Sequence, residues 1–269
     1  MSESIDHGKT FDWGRAAADY ARYRDIYPHE IYDRLFAAGI GREGQAVLDL
    51  GTGTGVLPRN MYGSGANFTG VDSSAEQIRE AERLSAGTSI RYLVGAAEEV
   101  DFPPASVDAV TACQCFFYFD HRILAPRLAR MLKSGGRLAV VYMAWLPDED
   151  PIAGESERLV LSYNPDWSGK GETRRPVDIP AEYDGAFVRE QEAVFDLRVP
   201  FTRENWAGRI RACRGVGASL SEEQARRFDE EHRALLDRMA PPSFSILHYA
   251  AMTVLRRIGG YDREERTDL

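Results

Sequence analysis

Short apolar runs recur along the first half of the chain, and segments with helical spacing of apolar residues separate them. Each run has the length of a buried strand, whereas the segments between them repeat apolar residues every three or four positions. This alternation predicts an α/β fold, in which a doubly wound, mostly parallel sheet is joined by right-handed crossovers. The five runs are Ala46–Leu50, Asn67–Val71, Ser89–Val94, Val107–Ala112 and Arg137–Met143.

The second half of the chain departs from this alternation. Glu192–Val199 and Ser245–Leu255 are again strand-like, which brings the predicted sheet to seven strands. Leu146–Pro180 is rich in proline, glycine and charge, and Ser221 is placed to cap a helix that runs to about Met239. We expect helical insertions at 146–190 and 200–242, which cover a site on the sheet.

The first forty residues are rich in tyrosine and arginine. Tyr20, Tyr23 and Tyr27 are spaced by three and four positions, which places them on one helical face. We therefore expect residues 1–40 to form a helical lid over a core of residues 41–145. The length suits a single domain, 1–269, that combines one α/β unit with its insertions.

The composition of the chain narrows the range of partners that it is expected to bind. The net charge of −9 argues against non-specific binding to nucleic acid, which depends on lysine and arginine. Three cysteines in an odd, sparse set suit a reducing cytoplasm, and their spacing does not predict a metal site. We expect no signal peptide and no membrane span, because the N-terminus is polar and no apolar run is long enough. The chain leaves a monomer and a homodimer equally open.

The most informative segment is a glycine-rich turn at the end of the first predicted strand. Gly51, Gly53 and Gly55 follow Asp49, and Asp72 ends the next strand. Glycines let a ligand approach the backbone closely, and a carboxylate one strand later can bind both hydroxyls of a ribose. The spacing differs from the G-x-G-x-x-G of many dinucleotide sites, which disfavours an NAD-dependent oxidoreductase.

These residues resemble motif I and the following acidic motif of class I S-adenosylmethionine-dependent methyltransferases. The segments 95–98, 114–120 and 132–138 are similar to the family's loops after strands three and four and its turn into strand five. The segment 114–120 is similar to a pattern that is frequent in the small-molecule group that includes trans-aconitate and cantharidin methyltransferases. The resemblance covers about residues 11–143 and implies a Rossmann-like methyltransferase fold.

The same resemblance implies S-adenosylmethionine as the cofactor and a set of contacts with it. Asp49 and Gly51 would lie near its methionine portion, and Asp72 would bind its ribose. Ser73 and Gln77 would border the adenine, opposite Ala97 and Glu98, while Cys113 would line the channel to the sulfonium. The remaining implied contacts are Thr52, Gly53 and Gly55 in the turn, with Tyr20 and Tyr23 closing over the cofactor.

No general base stands out in the sequence. Phe117 and Tyr118 occupy the positions of a histidine and a tryptophan in the related pattern, so a catalytic histidine there is missing. His121, His248 and Tyr118 are the weak candidates. His232 lies on the apolar face of its helix, which favours a packing role. A carboxylate acceptor needs no base at neutral pH, whereas a hydroxyl acceptor does.

The segment Trp206–Gly215 is basic and carries an aromatic residue, although the chain as a whole is acidic. Arginine can bind a carboxylate through two parallel hydrogen bonds, so the segment can belong to a pocket for an acidic substrate or to a solvated surface. The expected substrate contacts are Trp206, Arg209 and Arg214 in this segment, with Phe117 and Tyr118 after strand four.

We expect a methyltransferase that acts on a small molecule, with a carboxylate oxygen as the favoured acceptor. Nitrogen, sulfur and carbon acceptors remain open alternatives. A second hypothesis is a non-catalytic regulatory or scaffold protein that binds S-adenosylmethionine.

Overall fold

A computed structural model describes residues 5–8 and 10–259 of the chain. The ends of the expected 1–269 unit therefore lie outside the described residues. Seven strands form one sheet in the order β3-β2-β1-β4-β5-β7-β6. The strands are β1 Ala46–Leu50, β2 Asn67–Asp72, β3 Arg91–Val94, β4 Val107–Cys113, β5 Leu132–Trp145, β6 Phe187–Thr202 and β7 Ser243–Arg257.

Helices precede, separate and follow these strands. Among the described residues they are α1 Ala17–Tyr23, α2 His29–Ala37, α3 Val56–Met61, α4 Ala75–Leu84, α5 His121–Met131, α6 Pro151–Tyr163, α7 Arg203–Arg211 and α8 Glu222–Met239. Ser221 caps α8 through a reciprocal pair of hydrogen bonds with Gln224, so the predicted cap is confirmed.

The predicted parallel core of the sheet is confirmed. Strands β1 to β5 run parallel, and β1 lies between β2 and β4. The last two strands reverse this direction, because β7 is antiparallel to both β5 and β6. Regular pairing of β5 with β4 resumes at Arg137, after an irregular stretch that begins at Leu132. The sheet is therefore mixed but mostly parallel.

Both faces of the sheet are covered, as a doubly wound fold requires. Alternate residues of β1 point to opposite sides: Val47 joins an apolar cluster with helices α2, α3 and α6 to α8, whereas Leu48 joins a second cluster with α5. Parallel strands that are buried on both faces read as continuous apolar runs. This is why the sequence predicts β1, β2 and β4 to within one residue.

Three expectations need correction. Helix α1 ends at Tyr23, so Tyr27 does not share its helical face. Strands β5, β6 and β7 are several residues longer than their apolar patterns, because β6 and β7 pair continuously from Phe187 to Thr202 apart from one irregularity. Strand β3 begins at Arg91 rather than at Ser89. The expected insertion at 146–190 contains a helix, α6, which Asp150 caps. In the described part of the chain, no helix combines the length and hydropathy needed to cross a bilayer.

Candidate functional site

A cleft of about 620 Å³ opens where β1, β2 and β4 end. This edge is where doubly wound folds bind ligands. We divide its lining into two parts. The glycine-loop half is lined mainly by Trp13, Tyr20, Gly51, Gly53, Asp72, Ser73, Gln77, Ala97, Glu98, Cys115 and Phe119, and the aromatic half by Phe117, Tyr118, Tyr142, Trp145, Trp167, Gly169, Glu172, Arg209, Cys213 and Arg214.

The glycine turn approaches this cleft with no room for side chains. Gly51 and Gly53 have φ of 60° and 54°, and both line the cleft. A Cβ at Gly51 would lie 2.7 Å from Sγ of Cys115. Both this close contact and the positive φ therefore favour glycine at that position. Gly55 corrects the sequence expectation: a Cβ there would lie 2.2 Å from the hydroxyl of Tyr92, away from the cleft lining. Its role is to let the turn pack on β3.

Asp72 is tied into the glycine turn. One carboxylate oxygen accepts from the backbone N–H of Gly53 at 2.9 Å and the other from that of Ser74 at 2.9 Å. Burial raises the pKa of Asp72, while these two hydrogen bonds oppose the rise. A carboxylate oxygen has more than one accepting lone pair, so Asp72 can still accept from a ligand's hydroxyls.

The end of the glycine-loop half that includes Gln77 and Glu98 carries polar atoms beside aromatic rings. The side-chain oxygen of Gln77 is buried and has no hydrogen-bond partner, while its amide nitrogen donates to the carbonyl of Trp13 at 3.4 Å. Glu98 accepts from the backbone N–H of Asp120 at 2.7 Å. Ser73 and Ala97 line the same end. An unpaired buried acceptor beside rings suits a heterocycle with an amino group.

A narrow inner extension of the cleft is lined by Tyr20, Arg24, Asp49, Thr52, Cys113 and Arg209, among others. Thr111 donates to Asp49 at 2.6 Å. Burial raises the pKa of Asp49 to about 6, with Asp72 adding to the rise. Arg24 lies over the ring of Tyr20, 4.5 Å from its centroid. Asp49, Arg24 and Arg209 thus line one small space of about 20 Å³.

Arg209 is the unusual cation of the cleft. It is 4% exposed, its Nε and one terminal nitrogen have no hydrogen-bond partner, and it lines both the aromatic half and the inner extension. Burial lowers the pKa of Arg209 to about 9, and the nearby Arg24 adds to the decrease. A buried charge without a partner is costly, so this guanidinium is arranged for an anion.

Arg214 lies in the same half, but its charge is balanced. Its Nε lies 2.9 Å from a carboxylate oxygen of Asp6, and its terminal nitrogens donate to Tyr118 and Ser168, each at 3.0 Å. Asp6 itself accepts from the backbone and hydroxyl of Ser168. Arg214 therefore holds Tyr118 against the N-terminal segment, and Arg209 remains the unpaired cation.

Several residues expected at the site lie outside the cleft lining. Tyr23 packs on α7 and donates to Glu204 at 2.8 Å, because α1 turns that side chain away from the glycine loop. Trp206 is fully buried and donates to Ser156. His248 belongs to β7 and is buried against the rings of Trp145 and Phe201, and His121 contacts Phe116 and Tyr183. In the described chain none of the five histidines lines the cleft.

Other lining residues were missed by sequence reasoning. They are Arg24, which precedes the predicted helix at Pro28, and Trp145, Trp167 and Glu172, which lie at or beyond the end of β5. In the sequence, the sign of these residues was the presence of two tryptophans in a stretch without a regular spacing of apolar residues. Within residues 5–8 and 10–259, no group of three histidine, cysteine or carboxylate side chains is arranged to hold a metal ion.

Residues 48–140 match the family model described as a methyltransferase domain. This part of the chain is similar to methyltransferase domains. An uncharacterized methyltransferase of Mycobacterium tuberculosis is 33% identical over 151 residues, which cover 54% of this chain and 60% of that protein. A ubiquinone biosynthesis O-methyltransferase of Erwinia tasmaniensis is 34% identical over 102 residues, which cover 36% and 42%. This chain thus spans less than two thirds of the length of these curated relatives.

The solved structures that resemble this methyltransferase domain support its fold. The YcgJ protein of Bacillus subtilis aligns with a TM-score of 0.50 at 20% identity, covering 87% of this chain and all of that one. The MccD protein aligns with a TM-score of 0.50 at 16% identity, covering 84% and 95%. At such identities the likeness concerns the fold alone.

S-adenosylmethionine is the cofactor of this domain, and the cleft fits it. The bare backbone at Gly51 and Gly53 leaves room for the ligand, and Asp72 offers oxygens suited to ribose hydroxyls. Asp49 and Arg24 offer a carboxylate and a guanidinium for the charged groups of a methionine portion, which would lie in the main cleft because the inner extension has a volume of only about 20 Å³. When bound, the cofactor supplies an electrophilic methyl group on a sulfonium.

Proposed function

We propose that the protein transfers a methyl group from S-adenosylmethionine to a carboxylate oxygen of a small-molecule acceptor. The observation that carries this proposal is Arg209, a buried guanidinium with unpaired nitrogens that lines both the inner extension and the aromatic half. A carboxylate held there would satisfy the charge and lie beside the cofactor's methionine portion. The sequence resemblance to the group containing trans-aconitate and cantharidin methyltransferases supports the same acceptor class.

The chemistry of a carboxylate acceptor also agrees with the residues of the cleft. A carboxylate is ionised at neutral pH, so its oxygen can attack the methyl group without a general base. None of the described residues of the cleft lining is a histidine. The main task of the protein is then to align two reactants, which can lower the barrier by several kcal/mol. Tyr118 and Phe117 border the acceptor in this arrangement, and Arg214 fixes Tyr118.

In this proposal, the segments before and after the domain cover the cleft. Residues 1–40 would close over the cofactor through Trp13 and Tyr20, and residues 146–190 and 200–242 would close the aromatic half. We further propose one functional unit over 1–269, acting on a small molecule in the cytoplasm as a monomer or homodimer.

The test measures S-adenosylhomocysteine release from a panel of small carboxylic acids and their matched neutral amides. We expect turnover with acids and none with amides, and an alkali-labile methyl ester as product. Arg209→Ala should weaken acid binding by about tenfold or more, the value of a hydrogen bond to a charged group, with a smaller effect on S-adenosylmethionine. Arg198→Ala, an exposed arginine on β6, is the matched control.

Three outcomes would contradict the proposal. Equal loss of acid and cofactor affinity in Arg209→Ala would assign this arginine to the cofactor. Release with amine, thiol or carbon acceptors only would replace the carboxylate, and tight cofactor binding without release from any acceptor would favour a binding protein that does not catalyse transfer.

A further inference from the structure

One carboxylate among the described residues of the aromatic half faces the cleft, that of Glu172 in the loop between α6 and β6. Its side chain is 11% exposed. The hydroxyl of Tyr142 donates to one of its oxygens at 2.6 Å, and the hydroxyl of Tyr249 donates to the other at 3.0 Å. Both tyrosines belong to paired strands, β5 and β7. The carboxylate is therefore held in a fixed orientation.

The loop around Glu172 is also fixed. The backbone N–H of Gly171 donates to the carboxylate of Glu157 at 2.8 Å, and Gly171 has a φ of 65° that favours glycine. A Cβ at Gly169 would lie 2.7 Å from the indole nitrogen of Trp167. These close contacts show a loop that is built against the cleft wall rather than one that crosses it loosely.

Glu172 acts as a hydrogen-bond acceptor for the groups around it. Burial raises the pKa of Tyr142 well above its usual value, and Glu172 adds to the rise, so this hydroxyl donates instead of ionising. Arg175 lies 3.3 Å from Glu172, but its side chain is 63% exposed and the pairing is screened by water. Each oxygen of Glu172 accepts from one tyrosine and, at 3.3 and 3.5 Å, from Arg175, so a donor of the ligand would take the place of this exposed arginine.

Glu172 and Arg209 lie along one aromatic wall. Arg209 lies 5.2 Å from the ring centroid of Trp145, and the rings of Trp145 and Trp167 are 6.2 Å apart. Gly169 and Glu172 continue the same lining. The wall thus presents an unpaired cation at one point, a carboxylate at another, and aromatic surface between them.

We propose that Glu172 is a specificity residue that accepts a hydrogen bond from a second polar group of the acceptor, a hydroxyl or an ammonium. The acceptor is then a carboxylic acid that carries a hydrogen-bond donor away from its carboxylate, and this inference rests on the proposed function. A second carboxylate in that position would be repelled by Glu172, and a methyl group would offer it no hydrogen bond in place of the one from Arg175. Polycarboxylates are therefore disfavoured as acceptors.

The experiment uses the full chain saturated with S-adenosylhomocysteine and a matched series of straight-chain acids of graded length. Each length ends in methyl, hydroxyl, amine or a second carboxylate, and calorimetry gives the affinity. We expect hydroxyl- or amine-terminated acids to bind about tenfold or more tightly than the methyl-terminated acid at the best length, with the dicarboxylate weakest. This ranking tests the inference in the unmodified protein.

Glu172→Gln removes the charge but keeps an oxygen and an amide for the two tyrosines. In this variant we expect the preference for a terminal donor to fall to about twofold or less and dicarboxylate binding to improve, with the methyl-terminated acid unaffected. Glu155→Gln, on the exposed face of α6, is the matched control. A flat ranking, a preference for dicarboxylates, or an unchanged ranking in Glu172→Gln would overturn the inference. Failure of the proposed function would differ: none of the acids would depend on Arg209.

Discussion

The two arginines of the aromatic half, Arg209 and Arg214, differ in how their charges are balanced. This difference decides where the aromatic half can bind an anion. Arg214 has a carboxylate partner and two neutral acceptors, whereas Arg209 has unpaired nitrogens at 4% exposure. Burial alone would make both costly, and pairing removes most of that cost for Arg214 only. A ligand's anion therefore gains most at Arg209. The difference could not be read from the sequence, because Asp6 is more than two hundred residues away from its partner.

Asp49 should make cofactor binding depend on pH. Its pKa of about 6 is raised mainly by burial, so the carboxyl is ionised at neutral pH and becomes neutral as the pH falls through 6. The cofactor's ammonium group prefers the ionised form. We expect the affinity for S-adenosylmethionine to be constant above pH 7 and to fall below 6 by up to about tenfold per pH unit. Calorimetry across this range measures it.

The control for this prediction is Asp49→Asn, which should bind more weakly at neutral pH and lose most of the pH dependence. Asp72 also has a pKa raised by burial, so it is the other group of the cleft that can titrate in acid. An identical fall in affinity in Asp49→Asn would assign the effect to Asp72 instead.

At the scale of elements, a contact between α1 and α7 links the two halves of the cleft. Gly208 of α7 faces the ring of Tyr23, and a Cβ there would lie 2.3 Å from a ring carbon. Tyr20 and Arg24 at the inner extension belong to α1 and its C-cap, and Arg209 follows Gly208. The close packing of these two helices thus determines where the groups of the inner extension lie.

Gly208→Ala should force α1 away from α7. Alanine favours helices over glycine by about 1 kcal/mol, but overpacking costs about 1–3 kcal/mol, and here the obstacle is an aromatic ring. We expect a net loss in the free energy of unfolding, measured in urea, together with weaker binding of S-adenosylmethionine. Gly63→Ala has open space around its Cβ and should change neither quantity appreciably. Full cofactor affinity in Gly208→Ala would contradict the link between this contact and the site.

Elements were predictable from sequence to different degrees, for physical reasons. Strand β1 was predicted at its bounds because burial on both faces gives a run between polar turns that is apolar except for Asp49. Strand β6 was predicted at half its length, because nine of its sixteen residues are exposed and five are charged, which obscures the apolar pattern. Helix α7 has charged residues on several sides yet is largely buried, so no apolar stripe marked it.

At the scale of the whole molecule, buried histidines should make the fold sensitive to acid. His232 lies between α8 and α6, where Ser156 donates to the carbonyl of Ile152 and accepts from His232 and Trp206. Burial lowers the pKa of His232 to about 4 and that of His248 to about 3. Both side chains are therefore neutral in the folded protein throughout the range in which they titrate when unfolded.

The lowered pKa values of the two histidines determine the direction in which stability changes with pH. The unfolded state binds protons on both histidines below about pH 6.5, whereas the folded state does not until about pH 4 or lower. Their contribution to stability is complete above pH 6.5 and is lost as the pH falls. We expect a decrease of roughly 2 kcal/mol per histidine in the free energy of unfolding at about pH 5. Urea unfolding at a series of pH values measures it.

Variants separate this effect from that of the paired carboxylates. His232→Gln keeps a donor for Ser156 but cannot titrate, so its stability should decrease less steeply with acid than that of the unmodified protein. His29→Gln, on an exposed position of α2, should leave the slope unchanged. Equal slopes in all three proteins would show that the histidines do not drive the acid sensitivity.

The site was predictable in its glycine-loop half and much less so in its aromatic half. Gly51, Gly53 and Asp72 belong to a local pattern of turn and strand end, and such patterns are legible in sequence. Trp145, Trp167 and Glu172 meet Arg209 only through the path of α6, β6 and α7. Their proximity depends on tertiary packing, which no spacing along the chain encodes.

The division of the cleft has a consequence for how such a protein can change. Apart from the N-terminal segment, the glycine-loop half comes from residues 51–119, whereas most of the aromatic half comes from residues 142–214. The two stretches meet side by side at β4 and β5. Substitutions in the later stretch can therefore explore new acceptors while the earlier stretch keeps its ligand. A directed-evolution library aimed at acceptor choice should concentrate its diversity there.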